Sequence, residues 1–280
     1  MSETMQDIRR RMHTIESTQH ITHAMRLVSA SKFRKAKKQF DQISGQLEQI
    51  MQIMEQLLAE QKPGLPAADA DRRIIILFTS SRGLCGSYNS SLIKAAAEIS
   101  SQEDLFCTVG SRGEEFFRRQ GYELLYCFKE GPEKLRPDDA EEAIRLILEE
   151  WKQGRAAEVF LIKMRYVNAL KQVSQVLRIL PMERAERQDV SSLLSDDLEF
   201  HPSEEQVMAW LLPKYLQLVL WKSAAESAVC EHVARRAAME AASESAAEML
   251  DHLSLSYHRM RQQAITDELI EIVSGAESLK

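Results

Sequence analysis

The chain has 280 residues, a formal net charge of −6, 44% hydrophobic residues and only 6% aromatic ones. That apolar content can fill a core, and the low aromatic share suits elongated helical packing better than an all-β design. The longest apolar run, Val207 to Leu212, is too short to span a bilayer, and the start MSETMQDIRRR lacks the apolar stretch of a secretion signal, so the chain is expected in the cytoplasm or peripheral on a cytoplasmic face, with no transmembrane segment.

The first element is a long helix. Between Met5 and Lys62 the sequence holds one glycine, Gly45, and no proline, the two residues that break helices. Spacings of three and four link Met5, Ile8, Met12 and Ile15, then Phe33, Ala36, Phe40, Ile43, Leu47, Ile50, Met54 and Leu57, the seam of a coiled coil. Gln19, Thr22, Arg26 and Ser29 make a polar gap in that seam, which weakens self-association and can fix register or face another surface. Nine lysines and arginines stand against three acids before Phe40, either a solvated face or a contact for an acidic partner. Nucleic acid is not the expected partner, since neither a recognition motif nor interleaved aromatic residues accompany the basic ones.

A loop signal at Lys62-Pro63-Gly64-Leu65-Pro66 ends this helix. The run Ile74-Ile75-Ile76-Leu77-Phe78, within 72–80, predicts a strand buried on both faces. Further strands are predicted over 105–110, 122–128, 158–166 and 172–180, and helices near 90–100, 114–119 and 138–152. That alternation predicts a small Rossmann-like α/β domain. An acidic stretch between Pro181 and Pro202 reads as a linker, and Ser203 with Glu204 and Glu205 as the cap of a last helix, which Pro213 is expected to kink.

From Lys214 to Ser274 there is neither glycine nor proline. The fold class is therefore α/β, with a long antiparallel coiled coil of the N- and C-terminal helices. The divisions are 1–62 and 203–280 for the two helices and 63–202 for the α/β domain. At 1.5 Å per residue the first helix spans about 80 Å and the last about 100 Å, so the last should overhang by about 20 to 30 Å. Its overhanging end carries Ile265, Leu269, Ile270, Ile272 and Val273, an apolar surface that calls for an enclosing partner. Ten alanines between Ala224 and Ala247 favour helix and permit close backbone approach.

No catalytic constellation emerges: the Walker, dinucleotide, HExxH and GxSxG patterns are all absent. The loop Ser80 to Ser87 sits where phosphate loops sit, yet it has no lysine and reads as a tight structural turn. Cys85, Cys107, Cys127 and Cys230 form no CxxC pair and read as buried thiols; Cys85 has no base to activate it. Glu16, His20 and His23 share a helical face without a nameable further ligand, which reads as a solvated surface. No catalytic residue, cofactor or metal is assigned.

Three segments resemble the gamma subunit of F-type ATP synthases: ITHAMRLVSASKFRKA (21–36), TSSRGLCGSYNSSL (79–92) and RMRQQAITDELIEIVSGAESLK (259–280). Weaker likeness extends through DLEFHPSEEQVMAWLLPKYL (197–216) and EHVARRAAMEAAS (231–243). The resemblance implies a central rotor shaft without a catalytic site of its own, which couples ion flow to ATP synthesis or hydrolysis and regulates ATPase activity. It implies alpha and beta subunits around the shaft, with the epsilon subunit and the membrane c-ring at the α/β foot. By the same resemblance Arg235, Arg261 and Gln262 match positions that hydrogen-bond beta-subunit loops, and Met25, Arg26, Lys32, Arg34 and Lys35 a region facing acidic beta-subunit loops. Thr266, Glu268, Leu269 and Ile272 complete the set expected to meet the ring. Ser81, Ser87, His20, His23, Arg236 and Ser245 depart from the family pattern. The competing reading is a non-rotary helical scaffold related to this family.

Overall fold

The computed structural model describes residues 4–60, 72–182 and 203–277. The loop signal at 62–66, the acidic stretch from residue 183 onward and the side chain of Leu57 lie outside the described residues. Helix α1 runs over Met5–Glu60 and α5 over Glu204–Glu277. Between them lie β1 (Arg73–Phe78), α2 (Tyr88–Ile99), β2 (Leu105–Val109), α3 (Ser111–Arg119) and β3 (Glu123–Phe128). A 3-10 turn (Pro132–Lys134), α4 (Pro137–Lys152), β4 (Glu158–Tyr166) and β5 (Gln172–Leu180) complete the middle.

Local chemistry explains the helix starts. Thr4 donates its backbone N–H to Asp7 Oδ2 at 3.1 Å and accepts the Asp7 N–H on its Oγ1 at 3.2 Å, a reciprocal cap on α1. Gln206 donates its N–H to Ser203 Oγ at 3.4 Å, so Ser203 caps α5 as expected. Helix α5 then continues through Pro213 without ending.

The strands form one sheet in the order β3-β2-β1-β4-β5, parallel except for the β4–β5 pair. Ile74 lies beside Leu105 on one flank and Val159 on the other, which places β1 at the centre. Alternation along β1 sends Ile74, Ile76 and Phe78 to a core shared with α4, Met54 of α1 and the 211–224 part of α5. Ile75 and Leu77 point the other way, into a core with Leu92 of α2 and Phe117 of α3. Both faces are thus covered, which is why β1 is apolar throughout. Three of the four cysteines are buried thiols; Cys127, on the outer strand β3, is half-buried instead.

Two compact units emerge: Ala30–Ala234, and Met1–Ser29 with Arg235–Lys280. In the first, antiparallel helix packing ends in a shift of the seam. Ile50 is 48% exposed, whereas Met51 packs against the core beside buried Met54. From Leu47 to Met54 the spacing is still seven residues, and the intermediate seam position falls at Met51 rather than Ile50 where α1 meets the larger α/β core. In the second unit Ile8, Thr22 and Ser29 of α1 and Met239 and Ala246 of α5 are buried, so the polar gap belongs to the helix–helix seam. Its hydroxyls bond within their own helix, Thr22 to the Gln19 carbonyl and Ser29 to that of Met25, leaving Arg26 to cross to Glu240 at 2.9 Å.

Gly110 links β2 to α3 with φ +98°, and a Cβ there would stand 2.1 Å from the Thr79 carbonyl oxygen. Replacing Gly110 by Ala is expected to cost at least about 3 kcal/mol of unfolding free energy, measured by urea titration.

Candidate functional site

An α/β sheet of this order reverses between β1 and β4, and the crevice beyond the carboxyl ends of those strands is where such folds take ligands. Here the chain's own α5 lies across it. Glu226 pairs with Lys163 of β4, both buried, and accepts the Tyr166 backbone N–H at 3.0 Å. Tyr88, at the start of α2, donates its hydroxyl to the Ser227 carbonyl at 3.2 Å. Cys230 donates its thiol to the Met164 carbonyl at 3.5 Å, and burial pushes that thiol far above its ordinary pKa.

The neighbouring loop Ser80 to Ser87 closes on itself. The Ser80 N–H donates to Asn89 Oδ1 at 2.9 Å, Ser80 Oγ donates to the Arg82 carbonyl at 2.6 Å, and Asn89 Nδ2 donates to Ser80 Oγ at 2.7 Å. Leu84 and Gly86 take φ values of 62° and 57°, the left-handed conformations of a tight turn. Buried Cys85 contacts Ser80 and Asn89, neither of which is a base. Among the described residues no group of three or more His, Cys, Asp or Glu could hold a metal ion, and no helix is long and apolar enough to cross a membrane.

A second polar cluster joins three elements. Glu133 in the 3-10 turn meets His232 Nε2 of α5 at 2.9 Å and accepts a hydrogen bond from Lys32 Nζ of α1 at 2.8 Å. The bonds from His232 and Lys32 hold its carboxyl at about 2, against an ordinary 4.5. Lys32 is thus held within the chain. So is Arg26, half-buried against Glu240, while Arg235 is 9% exposed. Met25 is half-buried, and Arg34 and Lys35 are exposed.

The remaining predicted residues come together at the end of α5. Every residue from Arg261 to Ser274 is exposed, including Arg261, Gln262, Thr266 and Glu268, with Leu269 at 57% and Ile272 at 65%. At about 100° per residue, Ile265, Leu269, Ile270, Ile272 and Val273 cover an arc of about 160°, with Asp267, Glu268 and Glu271 on the other side. This end is amphipathic, and no described residue of its own unit covers the apolar arc. Sequence reasoning found this surface but missed Lys163, Glu226, Glu133 and His232. A lysine inside the apolar strand EVFLIKMRY and a glutamate among the alanines of α5 were the available signals.

Long first and last helices joined to a five-stranded α/β sheet define the class of fold. A family model described as ATP synthase matches residues 4–279. The ATP synthase gamma chain of Moorella thermoacetica is 36% identical, with 99% of each chain covered. The sodium ion specific ATP synthase gamma chain of Acetobacterium woodii is 32% identical, with 100% of each covered. Among solved structures, a chain of the Euglena gracilis mitochondrial ATP synthase rotor in rotational state 1 superposes with a TM-score of 0.68 at 14% identity, covering 93% of this chain and 98% of that one. The chain belongs to the ATP synthase gamma chain family.

The depressed Glu133 value lies below the unfolded one, so its stabilisation is present above pH 4.5 and is lost as pH falls from 4.5 toward 2. Glu133→Gln should flatten that limb of the stability–pH curve. With 35% of the side chain exposed, the loss at neutral pH should be about 1 to 2 kcal/mol, checked by denaturant unfolding at a series of pH values.

Proposed function

We propose that this chain is the central rotor shaft of an ATP synthase, turning within a ring of alpha and beta subunits and coupling transmembrane ion flow to ATP synthesis or hydrolysis, with a regulatory influence on ATPase activity. It has no catalytic site in this reading and transmits torque. The observation that carries the proposal is the exposed amphipathic end of α5, an apolar arc that no described residue of its own unit covers. An enclosing sleeve of ring subunits satisfies it. Exposed ion pairs worth about 0 to 1 kcal/mol each suit the sides of a turning shaft, because they exchange readily.

The surface proposed to meet the ring comprises Met25, Arg26, Lys32, Arg34 and Lys35 of α1, and Arg235, Arg261, Gln262, Thr266, Glu268, Leu269 and Ile272 of α5. Arg26 and Lys32 would exchange their internal carboxylate partners for those of the ring as it turns. The 63–202 segment serves as the foot toward the epsilon subunit and the c-ring, with 1–62 and 203–280 as the shaft, peripheral on the cytoplasmic side of the membrane. Hydrogen ions or sodium ions drive it; the choice belongs to membrane subunits.

Co-expression with alpha and beta subunits from the same source should yield an ATP-hydrolysing complex that retains the chain. A complex that forms without it would support the scaffold alternative. Deleting the last dozen residues, 269–280, should weaken association with the ring while leaving the unfolding midpoint of the isolated chain nearly unchanged, measured by pull-down and by thermal melting. Equal loss of both would contradict the role of the exposed end.

A further inference from the structure

We infer that the stretch Glu226 to His232 fastens α5 to the sheet, and that its buried polar bonds fix the rotational and axial position of the helix and carry load between sheet and helix. Below this stretch, Leu211, Leu212, Leu216, Val219 and Leu220 hold α5 by apolar contact. Polar links there include the exposed Gln217 bond to the Pro137 carbonyl, at 2.8 Å, and the Lys214–Glu141 pair, at 3.7 Å. Apolar contact is non-directional, so a greasy helix can slip along or about its axis and recover much of its burial. Hydrogen bonds are directional and weaken steeply off-axis. A one-residue slip moves each side chain of α5 by about 1.5 Å along the helix and turns it by about 100°, which carries the Glu226 carboxylate and the His232 ring away from their partners together.

The fasteners are spread over different elements. Glu226 is tied to β4 twice, through Lys163 and the Tyr166 N–H; Ser227 is tied to α2 through Tyr88; His232 is tied through Glu133 to the 3-10 turn. These anchors surround α5 from separate directions, so rotation in either sense stretches at least one of them. Glu226 and Lys163 also share a cost that enforces fidelity: separated, each leaves an uncompensated charge in a buried site. Glu133 additionally holds Lys32, so the same stretch secures α1.

This inference rests on the rotor reading, and its test separates the two. The paired substitution Lys163→Met with Glu226→Met replaces the ion pair by apolar groups of similar length, a change buried pairs often tolerate. In the complete membrane complex reconstituted into vesicles, this variant should assemble and hydrolyse ATP while ATP-driven ion pumping and ion-driven ATP synthesis fall several-fold relative to hydrolysis. Gln217→Leu, which removes an exposed polar link, should leave that ratio unchanged. An unchanged ratio in the paired variant overturns the inference. Should that variant fail to fold, Tyr88→Phe and Glu133→Gln, each removing one fastener, are read in the same assay, where a lowered ratio supports the inference and an unaltered one overturns it. Failure of the unaltered chain to enter the complex would instead overturn the rotor reading.

Discussion

The buried pairing of Glu226 with Lys163 is the contact on which the rest of the arrangement depends. It brings the longest helix of the chain over the carboxyl ends of β1 and β4, where an α/β fold otherwise leaves room for a ligand. Once that position is taken, Tyr88 and Cys230 have partners across the crevice, and α5 must pass over the sheet rather than lie beside it.

The same helix shows two kinds of surface along its length. Where it crosses the sheet it is buried and polar bonds hold it; beyond Met260 it is exposed and carries an apolar arc opposite acids. Between them, its seam with α1 contains small and polar side chains whose hydroxyls are satisfied within their own helices. Such a seam holds two helices together through packing and the crossing ion pair of Arg26 with Glu240, and its polar character sets register more than strength. Stiffness then comes from backbone continuity, since α5 is one helix from Glu204 to Glu277.

Much of this was legible in the sequence. The strand bounds at 158–166 and 172–180 agree with β4 and β5, because apolar runs bounded by turn residues have few alternatives. The heptad marked α1 correctly through Leu47 and again at buried Met54; between them packing against the α/β core selected Met51 over Ile50. Periodicity knows nothing of the neighbour's shape, so that step could not be foreseen. The exposed end of α5 followed from comparing two helix lengths. The fasteners did not, because Lys163 with Glu226 and Glu133 with His232 are separated by 63 and 99 residues and meet only through topology. Likewise, Arg26 and Lys32 look like free cations in sequence, and only the fold supplies their internal carboxylates.

Hydrogen exchange along α5 tests the central claim most directly, because it reports on the fastened stretch and the exposed end in one experiment. In the isolated chain, amides of residues 226–234 should exchange only through global unfolding, while those of 261–274 exchange orders of magnitude faster. On assembly with alpha and beta subunits, the 261–274 segment should gain protection and the 226–234 segment should keep its own. Rapid exchange at 226–234 in the folded chain, or no gain at 261–274 in the complex, would contradict the account.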